Sequence, residues 1–227
     1  METRLNRRQA LAGAGTVSLA ALLAACSEDE ESPGQASETS EATDAFEGAS
    51  SCTLTPELTE GPYYFDVDKI RSDIREDKEG VPLRFAIRIR DAEKCEPIAD
   101  AVVELWHCDA IGSYSGFNEE GTFLRGAQVT NPKGVVEFTT IYPGWYMGRT
   151  VHIHAKVHLD NSTVLTTQLF FDDEVSTSVY EQEPYSSHSG RDVFNDADGI
   201  FDDQLVVATS RDGEDYRGAI NFDVESA

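Results

Sequence analysis

Leu83-Arg84-Phe85-Ala86-Ile87-Arg88-Ile89-Arg90 alternates apolar and polar side chains almost without a break. In an extended chain successive side chains point to opposite faces, so this pattern gives a strand with one buried and one wet face. Working outward, the same period of two recurs in Ala101–His107, Val135–Ile141, Val151–Leu159, Thr163–Phe171, Gln204–Ala208 and Gly218–Val224. Turn residues separate these runs, at Asp91–Pro97, Asn131–Gly134, Asp160-Asn161 and Asp212-Gly213. No long run repeats at the helical period. Short strands in this number, with turns between them, predict an all-β fold, an antiparallel β-sandwich. Two polar stretches, Asn118–Thr130 and Asp172–Ile200, read as long loops over one end, where an active site would sit.

The chain begins differently. Arg4, Arg7 and Arg8 precede an apolar run from Ala10 to Ala25 that is too short and too rich in alanine and glycine to span a membrane. Residues 1–25 therefore read as a signal peptide, with the paired Arg7-Arg8 pointing to the twin-arginine route. Leu23-Ala24-Ala25-Cys26 resembles a lipobox, which makes Cys26 the expected lipidation site and first mature residue. Residues 26–51 carry acidic side chains, no basic ones, and Phe46 as the one large apolar group. Such a stretch cannot bury enough surface to offset its ordering entropy, so it reads as a disordered tether. Residues 52–227 form one domain with room for a core. The expected location is the cell surface, held to the membrane only through a lipid anchor, or fully secreted.

The net charge of −24 excludes a nucleic-acid partner, because such a surface repels phosphate. Removing three arginines and one glutamate with the signal makes the mature form more acidic still. Exported proteins can hold disulfides, and Cys52, Cys95 and Cys108 allow one bridge and one free thiol. Cys95 and Cys108 are an unfavourable pair, since an extended strand between them separates them by roughly 30–40 Å. Cys52 is the better partner for either.

Chemistry concentrates in Ile141–Leu159, IYPGWYMGRTVHIHAKVHL. His152 and His154 alternate with Val151, Ile153 and Ala155, so both imidazoles share one strand face and can converge on one metal ion. Tyr146 lies in a Pro-Gly-Trp-Tyr turn, and Tyr114 follows Ile-Gly-Ser after an earlier strand. Turn geometry requires no aromatic at either place. Two phenolates with two imidazoles make a hard, oxygen-rich set of low net charge, which suits Fe(III) better than zinc or copper. Trp106 and Trp145 read as packing residues, His107, His158 and His188 as non-ligands, and the acidic run Asp172–Glu174 as solvated.

These strings resemble the intradiol ring-cleavage dioxygenases, the family of protocatechuate 3,4-dioxygenase and catechol 1,2-dioxygenase. The resemblance runs through LTPELTEGPYY (54–64), AVVELWHCDAIGSYSG (101–116), FLRGAQVTN (123–131), residues 134–157 and TQLFF (167–171). It implies a non-haem Fe(3+) cofactor held by Tyr114, Tyr146, His152 and His154. It also implies that Arg149 stabilises negative charge on the bound substrate, that Gln168 lies beside the metal, and that Pro62, Tyr63 and Tyr64 wall the pocket. The implied reaction takes a catechol-type substrate and O2, and cleaves the ring between the two hydroxylated carbons to a cis,cis-muconate-type diacid. A homo-oligomer is compatible with the sequence.

The chain departs from the family's cytoplasmic members in three ways. Only two residues separate Tyr146 from Arg149, the helical N-terminal region of the catechol-type branch is missing, and the chain reads as exported. Two other readings use the same residues. A non-catalytic prealbumin-like binding module shares the Gly134–Tyr146 pattern but lacks the His-x-His that follows. A zinc hydrolase would need a general base beside the histidines, and no HExxH-type motif is present.

Overall fold

The computed structural model describes Phe46 and residues 52–226. The expected signal peptide, the lipidation site Cys26 and the rest of the tether lie outside the described residues. Among the described residues no helix is long and apolar enough to cross a membrane.

The alternating run becomes β1 (Pro82–Asp91), followed by β2 (Val102–Trp106), β3 (Arg125–Val129), β4 (Val135–Ile141), β5 (His152–Leu159) and β6 (Ser162–Phe170). A helix, α1 (Asp173–Tyr180), and two short 3-10 turns precede a third at Asp203–Leu205, and β7 (Ala208–Asp212) and β8 (Asp215–Val224) complete the fold. The strands form two four-stranded sheets, ordered β4-β1-β8-β7 and β3-β2-β5-β6. Leu83, Phe85, Ile87 and Ile89 of one sheet and Val103, Leu105, Ile153 and Val157 of the other belong to a single buried core. The β-sandwich is thus as expected.

Four details differ from the expectation. The sandwich is not wholly antiparallel, because β1 and β8 pair in parallel; alternation looks the same in either direction, so sequence cannot reveal this. Gln204–Ala208 is not a strand but a 3-10 turn leading into β7. Part of the stretch read as a loop, Asn118–Thr130, is β3. Its alternation is masked at Gly126, where a Cβ would stand 2.7 Å from Ile74 Cγ2. Finally, Asp172–Glu174 are not merely solvated. Asp172 caps α1 by accepting from the backbone N–H groups of Glu174 and Val175, and Asp173 pairs with Arg191. Acidic residues in the first turn complement the helix dipole.

Cys52 bonds to Cys95, and Cys108 is free and buried. The choice left open for Cys52, between Cys95 and Cys108, is thereby resolved. Phe46 corrects the picture of a uniformly solvated tether. Its ring is buried against Ala86, Val135 and Ala219 on the outer face of the first sheet, and the Arg88 guanidinium lies 4.7 Å from the ring centroid.

Candidate metal centre

Strand register positions the site. Trp106 lies opposite His154 across the β2–β5 pair, and Gln168 lies opposite His154 across β5–β6. Directly paired residues share a face. Ile153, Ala155 and Val157 fill the inter-sheet core, so His152 and His154 point away from it, under the loops that follow β2 and β4.

Those loops deliver the tyrosines. Asp109 Oδ1 accepts from the N–H groups of Ile111 (3.1 Å) and Ser113 (2.8 Å), which tightens the turn leading to Tyr114. Behind Tyr114, the buried Arg125 donates to the Ser115 hydroxyl (2.8 Å) and carbonyl (2.9 Å). The other loop docks on this one at Gly144, whose N–H donates to the Asp109 carbonyl at 3.2 Å. A Cβ on Gly144 would lie 2.2 Å from that same oxygen, so only glycine permits the approach that carries Trp145 and Tyr146 to the site.

Four rings converge. Ring centroids are 4.8 Å apart for His152 and His154, 5.4 Å for Tyr146 and His152, 5.7 Å for Tyr114 and Tyr146, and 6.2 Å for Tyr114 and His154. His152 Nδ1 donates to the Thr150 carbonyl at 2.7 Å, which leaves Nε2 with its lone pair facing the Tyr146 hydroxyl at 3.0 Å. Trp106 stacks on His154 with centroids 4.9 Å apart and planes 6° from parallel. Gly61, in a left-handed conformation, also packs on this ring; a Cβ there would meet His154 Cε1 at 3.1 Å.

The site's electrostatics follow from burial. Burial holds His152 down at about 3, helped by the nearby Arg149 charge, and holds His154 well below the usual imidazole range. It pushes Tyr146 up to about 12, against the pull of Arg149, and Tyr114 well above the ordinary phenol value. All four groups are therefore neutral at neutral pH. Tyr114 Oη and both ring nitrogens of His154 are buried without a hydrogen-bond partner among the described residues. Leaving such groups unmade costs about 1–3 kcal/mol each, and an ion that they surround removes that cost. A highly charged cation can strip the protons from both phenols. The donor set thus fits a ferric ion. Among the described residues no group of three or more His, Cys, Asp and Glu side chains is placed to hold a metal ion.

Arg149 closes one side. Its Nε donates to Asp198 Oδ2 at 2.8 Å and its Nη2 to Gln168 Oε1 at 2.7 Å, while Gln168 Nε2 donates to the Thr59 carbonyl at 2.8 Å. Tyr63 stacks on Tyr114 with centroids 4.4 Å apart and meets Tyr146 edge-on. Tyr64 stands one layer back, packed on Trp106 with its hydroxyl on Glu104, and Pro62 is exposed. His107 is engaged by the Cys108 carbonyl and the Thr140 hydroxyl, both at 2.7 Å. His158 lies beside Glu104 and His188 packs on Trp145, so neither joins the four rings. Sequence reasoning missed Asp198, Gly61 and the Trp106 stack. Asp198 lies 49 residues from Arg149, and no local spacing flags it.

Residues 56–182 match a family model described as Dioxygenase. Among solved structures the chain is similar to an intradiol ring-cleavage dioxygenase from Tetranychus urticae, at 34% identity and a TM-score of 0.73, over 77% of this chain and 95% of that one. The chain belongs to the intradiol ring-cleavage dioxygenase family. The chain is also similar to the dioxygenase domain of a dioxygenase carbohydrate-binding protein fusion from Streptomyces sp. SirexAA-E, at 30% identity and a TM-score of 0.63, over 77% of this chain and all of that one. Catechol 1,2-dioxygenase 1 from Acinetobacter lwoffii is 33% identical over 143 residues, which are 50% of this chain and 45% of the relative. The chain thus spans about half the length of the catechol-type members of the family that it matches.

Proposed function

We propose that the protein is an Fe(III) dioxygenase that cleaves a catechol-type ring between its hydroxylated carbons, yielding a cis,cis-muconate-type diacid. The observation that carries this reading is the convergence of two phenols and two neutral imidazoles, with Tyr114 Oη and His154 left unpartnered. Tyr114, Tyr146, His152 and His154 would hold the iron. Bound there, Fe(III) supplies Lewis acidity that draws electron density from a catecholate and exposes its ring carbon to O2.

The chain's own residues supply the rest. Tyr146 is half-buried while Tyr114 is sealed, so Tyr146 is the phenol free to swing aside and take up a substrate proton at Oη. Arg149 is held at Nε and Nη2, and its fixed positive charge stabilises carbanion character in the ring. Gln168 anchors Arg149 to the Thr59 carbonyl. Tyr63 lies over Tyr114 and offers a flat face to an aromatic substrate.

The test is a visible spectrum of the iron-loaded chain before and after anaerobic addition of catechol. A tyrosinate-to-iron charge-transfer band that moves to longer wavelength supports the proposal. A colourless protein would sink it and favour a non-catalytic binding module. We further propose export and lipid anchoring at Cys26, which the Cys52–Cys95 disulfide supports, since such bonds persist in oxidising compartments. Cys26→Ala should release the protein from membranes.

A further inference from the structure

Residues 191–200 lie in the stretch read from sequence as a plain loop, yet they grip the turn between Tyr146 and His152 at several points. Asp192 accepts from the Gly148 N–H, with Oδ2 at 3.1 Å. Asn195 Oδ1 accepts from the Thr150 hydroxyl at 2.7 Å. Asp198 Oδ2 accepts both from Arg149 Nε at 2.8 Å and from the Thr150 N–H at 2.9 Å, and Asp198 Oδ1 accepts from the Ile200 N–H at 3.1 Å. The Asp198 side chain is only 2% exposed.

The gripping segment is itself held. Asn195 Nδ2 donates to the Phe171 carbonyl at 2.7 Å, and the Asn195 N–H donates to Asp173 Oδ2 at 3.0 Å. Arg191 also pairs with Asp173, at the start of α1. The grip therefore transmits the position of β6 and α1 to the turn.

Thr150 is the pivot. Its N–H and hydroxyl are taken by Asp198 and Asn195, while its carbonyl receives Nδ1–H of His152 at 2.7 Å. That last bond fixes the tautomer that leaves Nε2 open. One buried carboxylate thus touches both the cation of the site and the peptide that orients an imidazole.

We propose that Asp198 is a positioning residue that acts through two partners at once, holding the Arg149 guanidinium directly and the His152 imidazole through Thr150. The inference rests on the iron-dioxygenase reading for its catalytic consequence, but not for the orientation of His152. Asp198→Ala removes every acceptor, whereas Asp198→Asn keeps one oxygen. An amide has one acceptor oxygen, and its NH2 cannot accept from an N–H. It can serve the Arg149 and Thr150 side or the Ile200 side, but not both.

Two experiments on the full-length protein test this. In the metal-free chain, long-range 1H–15N NMR should show His152 as a single Nδ1–H tautomer, and Asp198→Ala should populate both tautomers. In the iron-loaded chain, Asp198→Ala should lower catechol kcat by about a hundredfold, the loss typical of a misplaced catalytic group, with KM changing less. Added to Arg149→Ala, it should cost less than it does alone but still lower kcat, because the path through Thr150 to His152 survives the loss of the guanidinium. Unchanged His152 resonances, or additive losses in the double variant, would overturn the proposal. A wild-type chain without iron colour would instead remove the dioxygenase reading, and the NMR comparison would still decide the inference.

Discussion

The Tyr146 hydroxyl donates to Nε2 of His152 across 3.0 Å. The proton on that line is the one a metal ion must replace. Tyr146→Phe removes one oxygen donor and leaves His152 Nε2 without its partner. Iron affinity should fall at least about tenfold, and the charge-transfer band should shrink to that of the Tyr114 phenolate alone. Metal analysis and a visible spectrum check this together; full iron occupancy with an unchanged band would exclude Tyr146 as a ligand. In wild type, both phenols are protonated before metal arrives, so iron uptake should release about two protons into weak buffer and should weaken as the pH falls.

Gly61 makes a second prediction. Its φ is +71°, and a Cβ added there would stand 3.1 Å from His154 Cε1, so the imidazole must give by a few tenths of an ångström to admit it. Gly61→Ala should destabilise the fold by about 1–3 kcal/mol through backbone strain and displace His154, lowering iron content as well. Urea unfolding and metal analysis provide the check. An unaffected iron content would show that His154 tolerates the shift.

His107 gives the protein an acid-labile point outside the four converging rings. Burial holds its imidazole down at about 4, against an ordinary value of 6.5. The unfolded chain therefore binds a proton that the folded chain refuses between those values. Stability contributed by the neutral ring is complete above 6.5 and is lost as pH falls toward about 4, on the order of 3 kcal/mol in all. His107→Gln, which can still donate and accept, should flatten the decline in urea midpoint over this window. Parallel declines in wild type and variant would argue against the assignment.

The Cys52–Cys95 bond spans a sequence separation of 43 residues. Closing a loop of that length restricts the unfolded chain by about 4 kcal/mol on the entropic account. Changing both cysteines to alanine should lower the melting temperature by several degrees, as should a reductant. A melting temperature indifferent to both would show that the bridge adds nothing.

Much of this architecture was legible because it is local. The alternation in Leu83–Arg90 and Val151–Leu159 marks β1 and β5, and the spacing of His152 and His154 sets them on one face. The strings around Tyr114, Tyr146 and Arg149 gave the site's membership, and the structure brings those residues together. What stayed hidden is non-local. Nothing near Asp198 announces that it will hold Arg149, and the direction of β8 beside β1 leaves no trace in either strand. β3 was obscured by Gly126, which is there for the close approach of Ile74. The helix α1 was missed because its capping Asp172 looks like any solvated acid until its backbone partners are seen.

The parallel union of β1 and β8 also bears on when the protein can fold. Leu83 is paired with Tyr216 and Asp91 with Val224, so the middle of one sheet joins segments made far apart in time on the ribosome. The strand carrying both histidines, β5, belongs to the other sheet, whose β2, β3, β5 and β6 are all complete by Phe170. The sheet bearing the candidate metal centre can therefore assemble on a nascent chain while β1, already beside β4, still lacks its second neighbour. Only the arrival of β8 closes that edge, and contacts so distant in sequence form slowly. Until then β1 presents an open, half-apolar flank, and the interval before β8 emerges is when the chain is most exposed to sticking to its own kind.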